Sequence, residues 1–408
     1  ILTMQQNQKY FPLLDQNGKL MNRFLLVSNL ETADPSHIIH GNERVLRARL
    51  ADAQFFFDED RKKSLAEHLD KLKTVVFQEG LGTVYDKSLR LEKLAEKIAD
   101  AIDANDAEKK AAMRAALLSK ADLVTGMVTE FTELQGIMGR EYALLDGEKP
   151  EVACAIDEQY MPRFAGDELP QSALGFALSV ADKIDNIVGT FSRGKIPTGS
   201  QDPFALRRQA LGLVNMLILH ESGILLSDLV DEACDLYDLD DAARSKMQVD
   251  VAEFIRLRLK NVLTERGVRY DVQEAVLEDV DFVADVPVRA AYVERLLASD
   301  GADALVQSFV RVGNIARGVT GGAVDPALFQ AEEEGALLSA YQTAAAARAE
   351  GEDTLPAERA LGKAINAFFD AVMVMDKDVR IKENRLSLLK MIDDYLLETA
   401  DYSKIVLN

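Results

Sequence analysis

Tryptophan is absent from the 408 residues, and cysteine and histidine number only two and four. Cys154 and Cys234 cannot by themselves frame a disulfide scaffold or a zinc site, and they suit a reducing, cytoplasmic compartment. With only His37, His40, His68 and His220, most Ser-His and metal schemes are starved of imidazole. His37 and His40 lie beside Asp34 at a spacing open to metal ligation or to a plain surface; His68 and His220 read as edge or core residues of amphipathic helices. No run approaches the roughly 18 uncharged apolar residues of a membrane span, so a membrane is not expected as a partner. Gly-x-Ser-x-Gly, His-Glu-x-x-His, a Walker sequence and Cys-x-x-Cys are all missing. No catalytic or metal site is expected in this chain.

What is abundant is acid. Asp and Glu total 68 against 47 Lys and Arg, a net charge of −21. That balance argues against indiscriminate polyanion binding, DNA included, but leaves room for RNA held on local basic patches. A hydrophobic share of 48% with 28% charged residues excludes bulk disorder. At roughly 100–200 residues per domain the length predicts two to four domains. The chain opens Ile1-Leu2-Thr3-Met4-Gln5 with neither an initiator methionine nor a signal region, and it reads as a piece that starts inside a larger protein.

Residues 1–60 are the least helical. Asn17-Gly18 between Leu13-Leu14 and Leu20 predicts a hairpin, and Phe24-Leu25-Leu26-Val27 a buried strand. From about Asn42 the period turns helical, with Val45, Leu46, Leu50, Ala53 and Phe57 on one stripe. Arg44, Arg47 and Arg49 project from that helix, either as a solvated face or as a phosphate-contacting cluster. Two further stripes follow, Leu65, Leu69, Leu72, Val75 and Val76, then Leu89, Leu91, Leu94, Ile98 and Ile102, parted by Gly80-Leu81-Gly82. Another long helix contains Ala173–Ile187.

A loop then carries Lys195, Arg207 and Arg208, with Gly, Ser and Thr between them. Its composition suits either an anion site or a structural turn. Asp202 is placed to cap the next helix, and Pro203 suits its first turn. Residues 255–269 hold five basic residues, Arg256, Arg258 and Lys260 among them, against Glu265 alone. This local excess reads equally as a polyanion contact or as an offset to acidic neighbours. After the loop Gly321–Pro326, residues Leu361 to Tyr395 carry long apolar stripes, and Arg380, Lys382, Arg385 and Lys390 cluster near the end. The expected fold is mainly α and multi-domain, with a partial α+β segment at its start. Read alone, the residues stop at a helical, cytosolic chain with a capacity for RNA.

Several motifs carry a resemblance. They are Gly41-Asn42-Glu43-Arg44-Val45-Leu46-Arg47-Ala48-Arg49-Leu50-Ala51-Asp52-Ala53, Lys120-Ala121-Asp122-Leu123-Val124-Thr125, Glu130-Phe131-Thr132-Glu133-Leu134-Gln135-Gly136-Ile137-Met138-Gly139 and Pro197-Thr198-Gly199-Ser200-Gln201-Asp202-Pro203-Phe204. With Phe368-Phe369-Asp370-Ala371-Val372-Met373-Val374-Met375 and Asn384-Arg385-Leu386-Ser387-Leu388-Leu389, they resemble the β subunit of the bacterial two-subunit glycyl-tRNA synthetases over essentially the whole chain. The resemblance implies a tRNA-recognition subunit of glycine–tRNA ligase, inactive alone. It would partner an α subunit in an α2β2 assembly, with ATP and Mg²⁺ handled by α and no cofactor in this chain. The alternatives are a purely structural subunit that organises the α dimer and an HD-type metal phosphohydrolase.

The resemblance also implies an organisation. Residues 1–60 would end a truncated α+β region, 61–225 form an HD-like helical domain, 226–300 a helical linker and 301–408 a helical anticodon-binding domain. HD chemistry needs a His-Asp pair, and this sequence has Ala121-Asp122 at that place, with Asp182 or Asp185 as candidates for the last carboxylate. The HD-like domain is therefore expected to be a non-hydrolytic scaffold. In the last domain the implied phosphate contacts are Arg311, Arg317, Arg380, Lys382 and Arg385, with Asn314 and Asn384 as readers of base edges.

Overall fold

A computed structural model describes residues 1 and 3–407. Two strands open the chain, β1 (Phe11–Leu14) and β2 (Leu20–Leu25). The helices are α1 (Ser36–Asp60), α2 (Leu65–Leu72), α3 (Val84–Ala101), α4 (Asp106–Leu118), α5 (Gly126–Glu130), α6 (Ile137–Leu145), α7 (Pro150–Glu158), α8 (Ala173–Ser192) and α9 (Leu206–Leu219). They continue with α10 (Leu226–Asp235), α11 (Asp241–Glu265), α12 (Tyr270–Val276), α13 (Val286–Leu297), α14 (Ala302–Ala316), α15 (Glu332–Ala349), α16 (Leu355–Ala371) and α17 (Val379–Leu397). The mainly α fold expected from the helical periodicities is the fold observed. The chain divides into two compact units. One comprises residues 1–96, 106–160 and 170–178, and the other residues 97–105, 161–169 and 179–408.

In the first unit the Asn-Gly hairpin forms as an antiparallel pair, Phe11 opposite Leu25 and Leu14 opposite Leu20. Its turn is held by Asp15, whose Oδ1 accepts from the N–H groups of Asn17 and Lys19, while Gly18 takes φ +76°. The strand expected to be buried is not: β2 ends at Leu25, and Leu25 and Val27 are exposed. Met4, Tyr10 and Leu46 form a small core here, with Phe24 and Leu26 packed against it. Helix α1 starts at Ser36, six residues before the periodicity suggested. Its apolar stripe is largely uncovered, with Val45 at 44% and Leu50 at 54% exposure and Leu46 the stripe's one buried member.

The remaining helices of this unit pack on fully buried Leu65, Leu72, Leu91, Leu94, Leu118 and Ile156. Ser64 and Glu67 close a reciprocal capping box on α2. The stripe predicted through Val75 and Val76 ends at Leu72, because the chain turns there and pairs Val76 with Thr83. Asp60, the last residue of α1, accepts from the N–H groups of Gly126 and Met127 at 2.7 and 2.9 Å and from the Tyr142 hydroxyl at 2.9 Å. One buried carboxylate thus ties α1, α5 and α6 together.

The second unit packs α9 on α11 and gathers α14, α15, α16 and α17 around Phe309, Leu337, Ile365, Phe368 and Leu388. The apolar run from Leu361 to Tyr395 is two helices, α16 and α17, parted at residues 372–378. Arg385 holds that break in place. Its Nη1 donates to the Met373 carbonyl and to Asp376, both at 3.0 Å.

Candidate nucleic-acid interface

The loop between α8 and α9 folds around Asp202. Its carboxylate accepts from the N–H of Leu206 at 2.8 Å and of Arg207 at 3.0 Å, so the first donors of α9 are already satisfied. This occupancy leaves the helix end poorly suited to an external anion. Pro203 sits in the turn before the helix rather than in its first turn, and Ala205 at φ +52° joins the two. Arg207 donates to the Gly199 carbonyl at 2.6 Å and closes the loop; Lys195 stands over the Phe204 ring, and Arg208 is exposed.

Helix α11 uses most of its basic run internally. Arg256 pairs with Glu253 at 2.9 Å and Lys260 with Glu274 at 2.5 Å. Arg258 is buried, stacks on Phe254 at 3.9 Å and donates to the Phe254 carbonyl. Burial first, then the nearby Arg207 of α9, lower its pKa against the opposing charge of Asp202. Offset in space, the sequence's local excess is smaller than its count.

Near the C-terminus, Asn384 and Arg385 have intramolecular tasks. Asn384 is buried, accepting from the Asp325 N–H at 2.7 Å and donating to the Asp325 carbonyl at 3.0 Å. Arg385 is buried against Glu334 at 2.6 Å. These placements pin the loop before α15 and set both side chains apart from the exposed candidates. Arg380 is exposed beside Asp378, Lys382 is half-buried, and Arg311 lies over the Phe369 ring at 4.2 Å. Asn314 and Arg317 are exposed on α14 and at its end, and both line a cavity with Lys390 and Asp393 of α17. Sequence reasoning passed over Asp393; its one available signal was its spacing of three residues from Lys390.

In the first unit Arg44 and Arg47 are exposed and Arg49 pairs with Glu130 at 3.2 Å. Among the described residues, Arg44, Arg47, Lys195, Arg208, Arg311, Arg317 and Lys382 hold no ion pair.

At the position of the HD pair, Ala121 offers no ligand atom. The fully buried Asp122 accepts through Oδ2 from the N–H groups of Gly136 at 2.6 Å and Gly139 at 3.1 Å. Burial pushes its carboxyl up to about 6. His68 is buried with its Nε2 3.3 Å from the Asp60 carbonyl, while Asp185 accepts from the Tyr237 hydroxyl at 2.7 Å. A His, a His-Asp pair and an Asp do not fit these residues, and among the described residues no three His, Cys, Asp or Glu side chains converge as metal ligands.

The family described as glycyl-tRNA synthetase beta subunit matches residues 1–278. A glycine–tRNA ligase beta subunit of Clostridioides difficile (strain 630) is 44% identical over 417 aligned residues, spanning 100% of this chain and 60% of that relative. One from Neisseria meningitidis serogroup C / serotype 2a is 47% identical over 98% of this chain and 59% of its own length. One from Pseudoalteromonas translucida (strain TAC 125) is 44% identical over 99% and 59%. The chain therefore spans about three-fifths of the curated relatives it matches.

Proposed function

Because the chain belongs to the glycyl-tRNA synthetase beta-subunit family, we propose that it is the tRNA-recognition part of a glycine–tRNA ligase. It binds glycine tRNA, including the anticodon, so that a catalytic α subunit can attach ATP-activated glycine. The observation that carries this reading is electrostatic. In a protein of net charge −21, exposed Lys195, Arg208, Arg311 and Arg317 form no ion pair among the described residues. Phosphate oxygens would supply one.

The HD-like segment serves this reading as a scaffold. Asp122 is engaged in holding the start of α6, and Ala121 cannot ligate, so hydrolysis is not proposed for it. Arg258, Asn384 and Arg385 shape the surface, and the exposed cations contact the RNA.

One observation favours the assembly role as a second reading. Phe11, Leu14, Leu25, Val27, Val45 and Leu50 are all exposed on the hairpin and α1. Apolar surface of this kind is ordinarily covered by protein, and the α subunit is the partner that would cover it.

Equilibrium binding of the chain to glycine tRNA across a salt series tests the first reading. Affinity should fall linearly on a log–log plot, with a slope that shrinks in Arg208→Glu. Absence of binding, or binding indifferent to salt, removes the tRNA role from this chain and leaves the assembly role.

A further inference from the structure

The segment Phe368–Met375, which carries α16 into the break before α17, packs inward with only part of its apolar residues. Burial alternates at its end: Val372 and Val374 are buried, while Met373 and Met375 are 75% and 61% exposed. Backbone contacts fix that alternation. Val372 is extended, at φ −115° and ψ 125°. The Val374 carbonyl accepts from the Asp376 N–H at 3.0 Å, and Arg385, buried against Glu334, donates to the Met373 carbonyl at 3.0 Å. Two thioethers are thus held outward by a hydrogen-bonded frame. Of the eleven methionines in the chain these two are the most exposed. Met4, Met127, Met138, Met216 and Met247 are buried, Met113, Met161 and Met391 are half-buried, and Met21 on β2 is 38% exposed.

We propose that Met373 and Met375 form a site of reversible oxidation by peroxides, and that its oxidation lowers affinity for tRNA. In the step itself a lone pair on the thioether sulfur attacks one oxygen of hydrogen peroxide. The O–O bond breaks, an S–O bond forms, and the second oxygen leaves as water once it has taken both protons. Sulfur loses two electrons and the peroxide gains two. Access to the sulfur selects which methionines react, and the sulfoxide is returned to the thioether by methionine sulfoxide reductases.

The fold tolerates the product. Sulfoxide oxygens on Met373 and Met375 meet water, whereas on Met127 or Met216 they would be forced into the apolar interior. Arg385 holds the segment through the Met373 backbone carbonyl and Asp376, which oxidation leaves untouched. What changes is the surface, where two soft apolar side chains become polar. Exposed Lys377 and Arg380 follow directly in the chain, so the change falls beside cations placed to contact RNA. A thioether packs well on an aromatic ring, a base included, and a hydrated sulfoxide loses that contact. The effect on affinity rests on the tRNA-binding reading; the selectivity of oxidation does not.

The test treats the full chain with a graded series of hydrogen peroxide and follows every methionine by peptide mass spectrometry. Met373 and Met375 should be half oxidised at a dose about tenfold below that needed for the buried methionines, with the unfolding midpoint unchanged. At that dose affinity for a glycine tRNA transcript should fall by about three- to tenfold, and the two reductases, one for each sulfoxide epimer, should restore it. Met373→Leu/Met375→Leu keeps apolar side chains at both exposed positions, and its affinity should not respond to peroxide. Cys154 and Cys234 remain in both proteins, their thiols pushed up by burial, so the contrast reports the methionines. Oxidation of the pair no faster than that of the buried methionines overturns the site. Selective oxidation with affinity unchanged, or an equal fall in the double variant, overturns the control of binding while the tRNA reading stands. Untreated protein that binds no transcript removes the tRNA reading and the control together.

Discussion

Arg385 and Glu334 form a buried ion pair, Nε to Oε1 at 2.6 Å, which joins α17 to the start of α15. The second oxygen of Glu334 accepts from the N–H groups of Gln330 and Ala331 at 2.6 and 2.9 Å. Burial alone would raise the Glu334 carboxyl, but Arg385 and these two N–H groups outweigh it and hold it below its ordinary value.

Removing one partner strands the other. Glu334→Ala should cost about 3–5 kcal/mol, read as a fall in the urea midpoint. The folded carboxyl titrates below the unfolded one, so its stabilisation is complete above the unfolded value and is lost as pH falls through the folded one. Glu334→Gln should therefore flatten the acid limb of a stability-against-pH curve; a limb of unchanged steepness would assign it to other carboxylates.

Asp122 should show the opposite sign. Its folded pKa, about 6, lies above the ordinary aspartate value of 3.8. The folded state binds the proton more tightly, so this group favours folding at low pH and that contribution is lost as pH rises from about 4 to about 6. Asp122→Asn keeps an oxygen for Gly136 and Gly139 and removes the titration. The variant should match or exceed wild type at pH 7 and lack this falling segment. A variant markedly less stable at pH 7 would mean that the charge itself is needed.

Asp202 should matter for stability more than for anion binding. Asp202→Ala leaves the first donors of α9 uncapped, at a cost of about 1 kcal/mol and up to 2. The loop at 193–205 should become the first site of limited proteolysis. If cleavage begins elsewhere at the wild-type rate, the cap does not hold the loop.

Arg256 and Arg258 should behave differently although two residues apart. Arg258→Glu buries a carboxylate against the Phe254 ring and should lower the unfolding midpoint sharply. Arg256→Glu, on a half-buried side chain paired with Glu253, should leave folding nearly intact and weaken tRNA binding modestly. Equal stability losses in the two variants would contradict the burial difference.

Asn384→Ala should reduce stability by about 1–3 kcal/mol by freeing the backbone of Asp325. Any loss of RNA affinity should be equal for the natural and the anticodon-substituted tRNA. Selective loss for one of them would instead make Asn384 a reader of bases.

Much of the architecture was legible because helices are written locally. The stripes around Leu65, Leu91 and Ile365 and the Asn17-Gly18 turn depend on spacing within a few residues, and each forms near where it was read. Exposure was less legible. Val45 and Leu50 repeat like core residues yet face outward, because periodicity reports that a face is apolar and not what covers it.

The sequence by itself determined the mainly helical class, the family, and which segments carry basic and amide side chains. Only the tertiary structure decided which of those side chains remain available. Asn384 and Arg385 look in sequence like readers of RNA, yet they are consumed by Asp325 and Glu334, which lie 59 and 51 positions away. Asn314 and Asp393 have no local relation, yet they line one cavity. A side chain's availability depends on partners far along the chain, and burial turns those partnerships into obligations, since an unmet polar group costs more inside a protein than at its surface.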